Sequence, residues 1–250
     1  MTPNGDAAIR LDHVTKSFDS RKVLDDISFA VERGTAFCLL GRSGTGKSVT
    51  LKHIIGLIRP DAGHVLVEGE DVPRLPRAKL ARVRKRMGFL FQDGALFDSI
   101  TVGENVAFPL RRHTDLPNDE IVRRARARLE QVGLGHDYDR MPAELSGGMR
   151  KRAGLARAMA LDPSILLVDE PSAGLDPITS EEIDQLLLRA KLDEGKTLVV
   201  VTHNIPSART LGDELALLDR GRLVTRGTAA DLDRSDNTLV RGFMHSQGGG

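Results

Sequence analysis

Apolar residues along this chain follow two periods, and the period changes with position. Over residues 9–31, Ile9, Leu11 and Val14, then Val23, Leu24, Ile27, Phe29 and Val31, lie in short alternating stretches between charged turns, which predicts antiparallel strands. An apolar run over 35–40 predicts a strand, and 49–58 has helical spacing until Arg59 and Pro60 stop it. Residues 64–67 read as another strand, 74–86 as a basic helix, and 87–92 as a strand ending on Gln92. From Asp93 to about Arg157 the strand signal fades. There Ile121, Val122, Ala125, Leu129 and Val132 form one helical face, while Arg123, Arg124, Arg126 and Arg128 lie largely elsewhere and read as a solvated surface.

The mixed pattern then returns. Residues 165–168 and 198–201 are fully apolar, as expected for a parallel sheet covered on both faces. Between them Ile183, Leu186, Leu187 and Ala190 mark an amphipathic helix; 207–211 reads as a helix, and 215–218 and 223–225 as short strands. The pattern predicts one α/β domain, with a core from about 8–92 and 158–235 that includes an N-terminal antiparallel β subdomain. A helical subdomain is inserted at about 93–157, and 236–250 is read as a tail.

The strand at 35–40 runs into Gly41-Arg42-Ser43-Gly44-Thr45-Gly46-Lys47-Ser48 and then a helix, a phosphate-binding loop in its proper setting. Gly41, Gly44 and Gly46 let the backbone curl so that successive N–H groups, those of Ser43 and Thr45 included, face one anion. Lys47 adds a mobile cation for the outer phosphates, and the Ser48 hydroxyl is placed to hold Mg²⁺. The following helix, opening at Ser48 and Val49, turns its positive end to the same place.

A second element must complete such a site. The strand at 165–168 delivers Asp169 and Glu170 to its C-terminal end, where ligands bind in open α/β sheets. Asp169 is expected in the metal shell and Glu170 as general base towards water. His203, at the end of the neighbouring strand, could reach a γ-phosphate, and the Gln92 amide could touch metal or water. Leu145-Ser146-Gly147-Gly148-Met149 opens another helix and makes a second anion-binding end. One chain with two such ends makes sense if the second serves another copy's nucleotide.

Composition narrows the field. Lys and Arg total 36 against 35 Asp and Glu, and aromatic content is 4% with no Trp, so neither a nucleic-acid field nor a base-stacking surface is expected. Cys38, the single cysteine, reads as a buried small hydrophobe and cannot form an internal disulfide, which suits a reducing compartment. The first residues lack the build of a signal peptide, and no apolar run approaches the roughly 20 residues that cross a bilayer. A soluble chain without direct membrane insertion is expected.

Taken in order and spacing, the 41–48 loop, Gln92, Ser146–Gly148, Asp169 with Glu170, the turn at 172–176 and His203 resemble the ATPase subunits of ABC transporters. The resemblance spans about residues 8–235 and implies a P-loop NTPase with a RecA-like core. It implies ATP and Mg²⁺ as ligands, with Ser48, Gln92 and Asp169 around the metal, and Glu170, His203, Lys47 and Gln92 acting in hydrolysis. It also implies a homodimer in which Ser146, Gly147 and Gly148 cap ATP across the interface with Asp176 beside them. Phe18 would stack on adenine, although the family more often has Tyr there. Met149 stands where Gln is usual, and Val49 where Thr is common; neither change removes a phosphate donor or metal ligand.

The segments 91–97 and 108–114, with Met149, further resemble the ATPases of MCE-type lipid transporters, the Mla phospholipid systems among them. This implies an integral-membrane permease and an MCE-domain lipid-binding subunit as partners, with the chain peripheral on the cytoplasmic side of the inner membrane. Transport of another solute is the alternative, and a soluble ABC protein acting on ribosomes or DNA a more distant one.

Overall fold

A computed structural model describes residues 7–246. Residues 1–6, among those expected not to form a signal peptide, and 247–250, the end of the stretch expected as a tail, lie outside the described residues.

The strands form two sheets. β1 (Ala7–Phe18) and β2 (Arg21–Glu32) are an antiparallel hairpin; after β3 (Ala36–Leu40), β4 (Ala62–Val67) and β5 (Glu70–Asp71) extend it to a sheet of order β2-β1-β4-β5. β6 (Met87–Leu90), β7 (Ile165–Asp169), β8 (Thr197–Thr202), β9 (Glu214–Asp219) and β10 (Arg222–Gly227) join β3 in the order β10-β9-β3-β8-β7-β6. That second sheet is parallel except for the β9–β10 hairpin.

The uniformly apolar strands have a simple cause. In β3, Phe37 and Leu39 enter the core under the antiparallel sheet, where Phe37 stacks on Phe29 at 4.6 Å, while Cys38 and Leu40 enter the core under the helices. β7 and β8 divide the same way, Ile165, Leu167, Val199 and Val201 to one side and Leu166, Val168, Leu198 and Val200 to the other. Side chains alternate across a strand, so a strand buried on both faces must be apolar throughout. Each such side chain contributes roughly 1.5–3 kcal/mol.

α1 (Lys47–Ile54) follows β3, and α2 (Arg77–Lys85) precedes β6. Between β6 and β7 come α3 (Val102–His113), α4 (Asn118–Gln131) and α5 (Gly147–Ala158). α6 (Pro177–Leu192) and α7 (Ile205–Leu211) flank β8, and α8 (Ala229–Asp233) and α9 (Thr238–His245) follow β10.

Several boundaries differ from the sequence expectation by a few residues, and four of the differences matter here. α1 ends at Ile54 rather than Ile58, because Gly56 turns left-handed (φ 73°) and the Leu57 amide donates back to the Lys52 carbonyl at 2.8 Å. α2 starts at Arg77, after Pro76, not at Arg74. β6 stops at Leu90, and Gln92 lies in the turn closed by the Gly94 amide on the Phe91 carbonyl. The tail contains α9, started by Asn237 as its cap, with Val240 and Met244 buried against the helical core.

α6 carries a buried carboxyl, Asp184, which accepts from Ser207 while its Oδ1 has no partner. Burial pushes its pKa up to about 6. The folded value exceeds the unfolded one, so ionisation costs stability as pH rises from about 4 through 6. Asp184→Asn is therefore expected to be neutral near pH 4 and to stabilise by about 1–3 kcal/mol above pH 6. Urea unfolding at both pH values checks this; a variant without pH-dependent gain contradicts it.

Candidate active site

β3 lies between β8 and β9, so the chain leaving Leu40 emerges at the C-terminal edge of the parallel sheet, where β7 and β8 also end. The loop from Gly41 to Gly46 turns there before α1. Gly46 is left-handed (φ 110°), and a Cβ on it would fall 2.7 Å from Leu24 Cδ2 and 2.8 Å from the Val23 carbonyl. The loop is thus seated against β2. Gly46→Ala is expected to lose roughly 1–3 kcal/mol of stability and to weaken nucleotide binding; a thermal melt and ATP titration measure both. Gly44 (φ 78°) is open, Ser43 is exposed, and Thr45 closes the turn by donating from its hydroxyl to the Arg42 carbonyl at 2.9 Å.

Lys47 is 5% exposed. Its ammonium donates to the carbonyls of Gly41 (2.8 Å) and Arg42 (3.2 Å) and lies 3.1 Å from Glu170 Oε1. The Ser48 hydroxyl donates to Asp169 Oδ1 at 2.8 Å. Burial holds the Asp169 carboxyl above its ordinary pKa; the Ser48 bond opposes this and the Glu170 charge adds to it. Val49 packs on the core under the antiparallel sheet.

Glu170 sits just past β7 in left-handed backbone, φ 47°, a conformation that costs a non-glycine residue about 1 kcal/mol or more. Its Oε2 accepts from the Thr202 hydroxyl (3.2 Å) and the His203 amide (3.2 Å), and His203 Nδ1 lies at 2.9 Å. The last contact requires the proton on Nδ1 when Glu170 is ionised. One carboxylate is therefore gripped on both oxygens, by Lys47 on one and by the β8 end on the other.

Ser146, Gly147 and Gly148 lie elsewhere. Ser146 caps α5, accepting from the Met149 amide at 3.2 Å, and both Ser146 and Gly147 are exposed. A Cβ on Gly148 would meet Thr179 Cγ2 at 2.4 Å, which seats this helix start against the start of α6. Asp176 caps α6 there, accepting from Thr179 N (3.0 Å) and Oγ1 (2.6 Å), which holds its pKa low. Among the described residues no hydrogen bond joins Ser146–Gly148 to the 41–48 loop. Gln92 is exposed and its amide makes no hydrogen bond among them. Phe18 ends β1, exposed, with Lys16 Nζ 5.4 Å from its ring centre.

The donor set suits phosphate and a divalent cation. Ser48 and Asp169 offer hard oxygens side by side, fitting Mg²⁺, and the open left-handed glycine exposes loop amides beside a buried ammonium. Two residues that contribute here escape sequence reading. Thr202 looks like the end of an apolar strand and carries no signal. Lys151, buried with its ammonium on the carbonyls of Glu170 (3.3 Å) and Ala173 (2.5 Å), hides in a basic Arg-Lys-Arg run.

Comparison with known proteins places this geometry. The family profile described as ABC transporter matches residues 24–173. The chain is 45% identical over 240 residues, 96% of its length and 69% of the relative's, to the "Probable ribonucleotide transport ATP-binding protein mkl" of Mycobacterium leprae (strain TN). It is 42% identical over 225 residues, 90% of its length and 84% of the relative's, to the "Intermembrane phospholipid transport system ATP-binding protein MlaF" of Escherichia coli (strain K12). The dimeric post-hydrolysis structure of the ATP-binding cassette MJ0796 with ADP and Pi superposes with a TM-score of 0.83 at 32% identity, covering 88% of this chain and 98% of that one. With that profile across its phosphate loop, Ser146–Gly148 and Asp169–Glu170, the chain belongs to the ABC transporter family, as one of its ATP-binding, P-loop α/β cassettes.

Proposed function

We propose that the chain hydrolyses ATP as a pair of identical copies and so powers lipid transport through an integral-membrane permease, with an MCE-domain subunit as lipid carrier. The observation that carries this reading is the division of the site. Lys47, Ser48, Asp169, Glu170 and His203 converge within hydrogen-bond distances, whereas Ser146 and Gly147 lie exposed at the start of α5 with no hydrogen bond to the phosphate loop among the described residues. A second copy facing the phosphate loop would supply the missing wall.

In this mechanism Lys47 exchanges its carbonyl partners for the outer phosphates, and Ser48 and Asp169 would hold the metal. Bound Mg²⁺ would neutralise charge developing on the transferred phosphoryl group. Glu170, released from Lys47 on one side and kept in place by His203 and Thr202, takes a proton from the attacking water. The partner's helix start adds donors to the γ-phosphate only when the copies meet, so ATP drives closure and its hydrolysis lets them part. Phe18, at the tip of the hairpin whose Val23 abuts Gly46, stacks on the base.

Two features favour a lipid transporter. One is the similarity to MlaF, named for intermembrane phospholipid transport. The other is a groove of about 380 Å³ in which both resemblance segments meet: Phe91 and Phe97 from one, Phe108, Pro109 and His113 from the other. Phe97 (47% exposed) and Phe108 (44%) stand at its mouth with ring centres 5.0 Å apart. Buried Asn105 fixes the Phe97 turn, accepting from its amide at 2.7 Å and donating to its carbonyl at 3.0 Å. Such an apolar patch beside Gln92 suits a helix of the permease. The chain would then sit on the cytoplasmic side of the inner membrane without entering it; no helix among the described residues is long and apolar enough to cross a bilayer.

Reconstitution with the permease and MCE subunits in liposomes tests the reading. ATP-dependent transfer of a fluorescent phospholipid, lost with Glu170→Gln, is expected. Uptake of a ribonucleotide instead would favour the activity named for the mycobacterial relative and overturn the lipid assignment. Phe108→Glu is expected to abolish co-purification with the permease while the circular dichroism of the chain is unaltered; retained co-purification contradicts the groove assignment.

A further inference from the structure

We infer that Lys151 is a positioning residue that fastens the turn carrying Glu170 to the helix facing the partner copy, so that a chain's own catalytic carboxylate and its partner-facing edge move as one body. This rests on the reading above, in which Ser146–Gly148 serves the partner's nucleotide.

Lys151 is 4% exposed, one turn into α5 from the Ser146 cap. Its ammonium donates to the carbonyls of Ala173 and Glu170 at 2.5 and 3.3 Å. Burial lowers its pKa, and the charges of Asp93 and Glu170 act in the other direction. A buried cation is a costly way to fill space. Methionine would occupy the same volume without the desolvation cost, so what the lysine supplies is its donors. They act on a backbone that needs outside restraint, since Glu170 is left-handed. His203 and Thr202 hold the Glu170 side chain; its amide donates to the Val201 carbonyl at 2.9 Å, and Lys151 joins the Ala173 amide on its carbonyl and adds the Ala173 carbonyl, tying the turn to α5.

The same helix is fastened to the turn behind Gln92. Arg157 donates to the carbonyls of Ala95 (2.7 Å) and Gly94 (2.9 Å). A Cβ on Gly94 would lie 2.6 Å from the Arg150 carbonyl, and one on Gly154 would lie 2.9 Å from Gly94 Cα. α5 thus joins three places: the partner-facing cap, the turn beside the apolar groove, and, through Lys151, the turn from Glu170 to Ala173. A shift of α5 when the partner's nucleotide arrives reaches the Glu170 main chain through that ammonium, beside the steric contact of Gly148 with Thr179, which couples the two sites of a pair.

The test uses the full-length chain and its Lys151→Met, Lys151→Gln and Glu170→Gln variants. Lys151→Met is expected to bind the fluorescent nucleotide mantATP within about threefold of the parent, because the phosphate loop is untouched. Its kcat should fall roughly 10–100-fold, the scale of a misplaced catalytic group. The Hill coefficient for ATP should fall towards 1 from a parental value nearer the two sites of the pair. Lys151→Gln keeps N–H donors and should recover most of both. Parental kcat and Hill coefficient in Lys151→Met would overturn the inference. So would a lowered kcat with an unchanged Hill coefficient, or a parental Hill coefficient of 1. If Lys151→Met does not fold, Lys151→Gln against the parent decides by the same two readouts: near-parental kcat and Hill coefficient are expected, and loss of both despite retained N–H donors would overturn the inference. Parental turnover by Glu170→Gln would instead defeat the assignment of the general base, a failure the Lys151 variants do not share.

Discussion

Glu170→Gln should bind ATP yet turn it over at least about 10²–10³-fold more slowly than the parent. The amide fills the same space, and its oxygen can still accept from Thr202 and the His203 amide, which bond Glu170 Oε2 at 3.2 Å. It cannot accept a proton from water. It also removes the negative partner 3.1 Å from the Lys47 ammonium, leaving that cation freer for phosphate, so binding should hold or tighten. Equilibrium titration with ATP beside steady-state phosphate release separates the two effects. Hydrolysis near the parental rate would place the general base elsewhere.

Lys47→Ala should lose about 10²–10³ in kcat/KM, roughly 3–4 kcal/mol of transition-state stabilisation. The ammonium is buried and already aimed by two loop carbonyls, so it needs no reorganisation to meet developing charge. Arginine should not rescue it, because a planar guanidinium does not fit a pocket built around a compact ammonium. Rates below and above saturation distinguish lost binding from lost turnover. A Lys47→Ala chain within about tenfold of the parent would show that the loop amides alone suffice.

The sheet was the most legible part of the chain, because strands buried on both faces cannot hide. Ile165 through Val168 and Leu198 through Val201 could be little else. Helix ends were read less well. Gly56 was the available stop signal for α1, but Leu57 and Ile58 continued the apolar spacing and masked it. α9 lies inside the stretch expected as a tail; Asn237, followed by Val240 and Met244, is the cap and apolar face that marks the helix. The convergence of candidate residues was legible where a polar residue ends an apolar strand, as Asp169, Glu170 and His203 do. It was illegible where the polar residue looks ordinary. Thr202 is β-branched like its neighbours, and Lys151 is one of three consecutive basic residues. Asp176 shows a further limit: beside Pro177, it serves as the cap of α6, and its carboxylate is engaged by Thr179.

The central claim is that the reaction chamber is shared between two copies. Sedimentation of the Glu170→Gln chain with and without ATP tests it most directly. ATP should shift the chain to twice its 27.2 kDa mass, and adding Ser146→Arg to the same chain should abolish the shift while ATP still binds. A Glu170→Gln chain saturated with ATP that sediments at the mass of one copy would contradict the account, as would pairing that ignores Ser146→Arg.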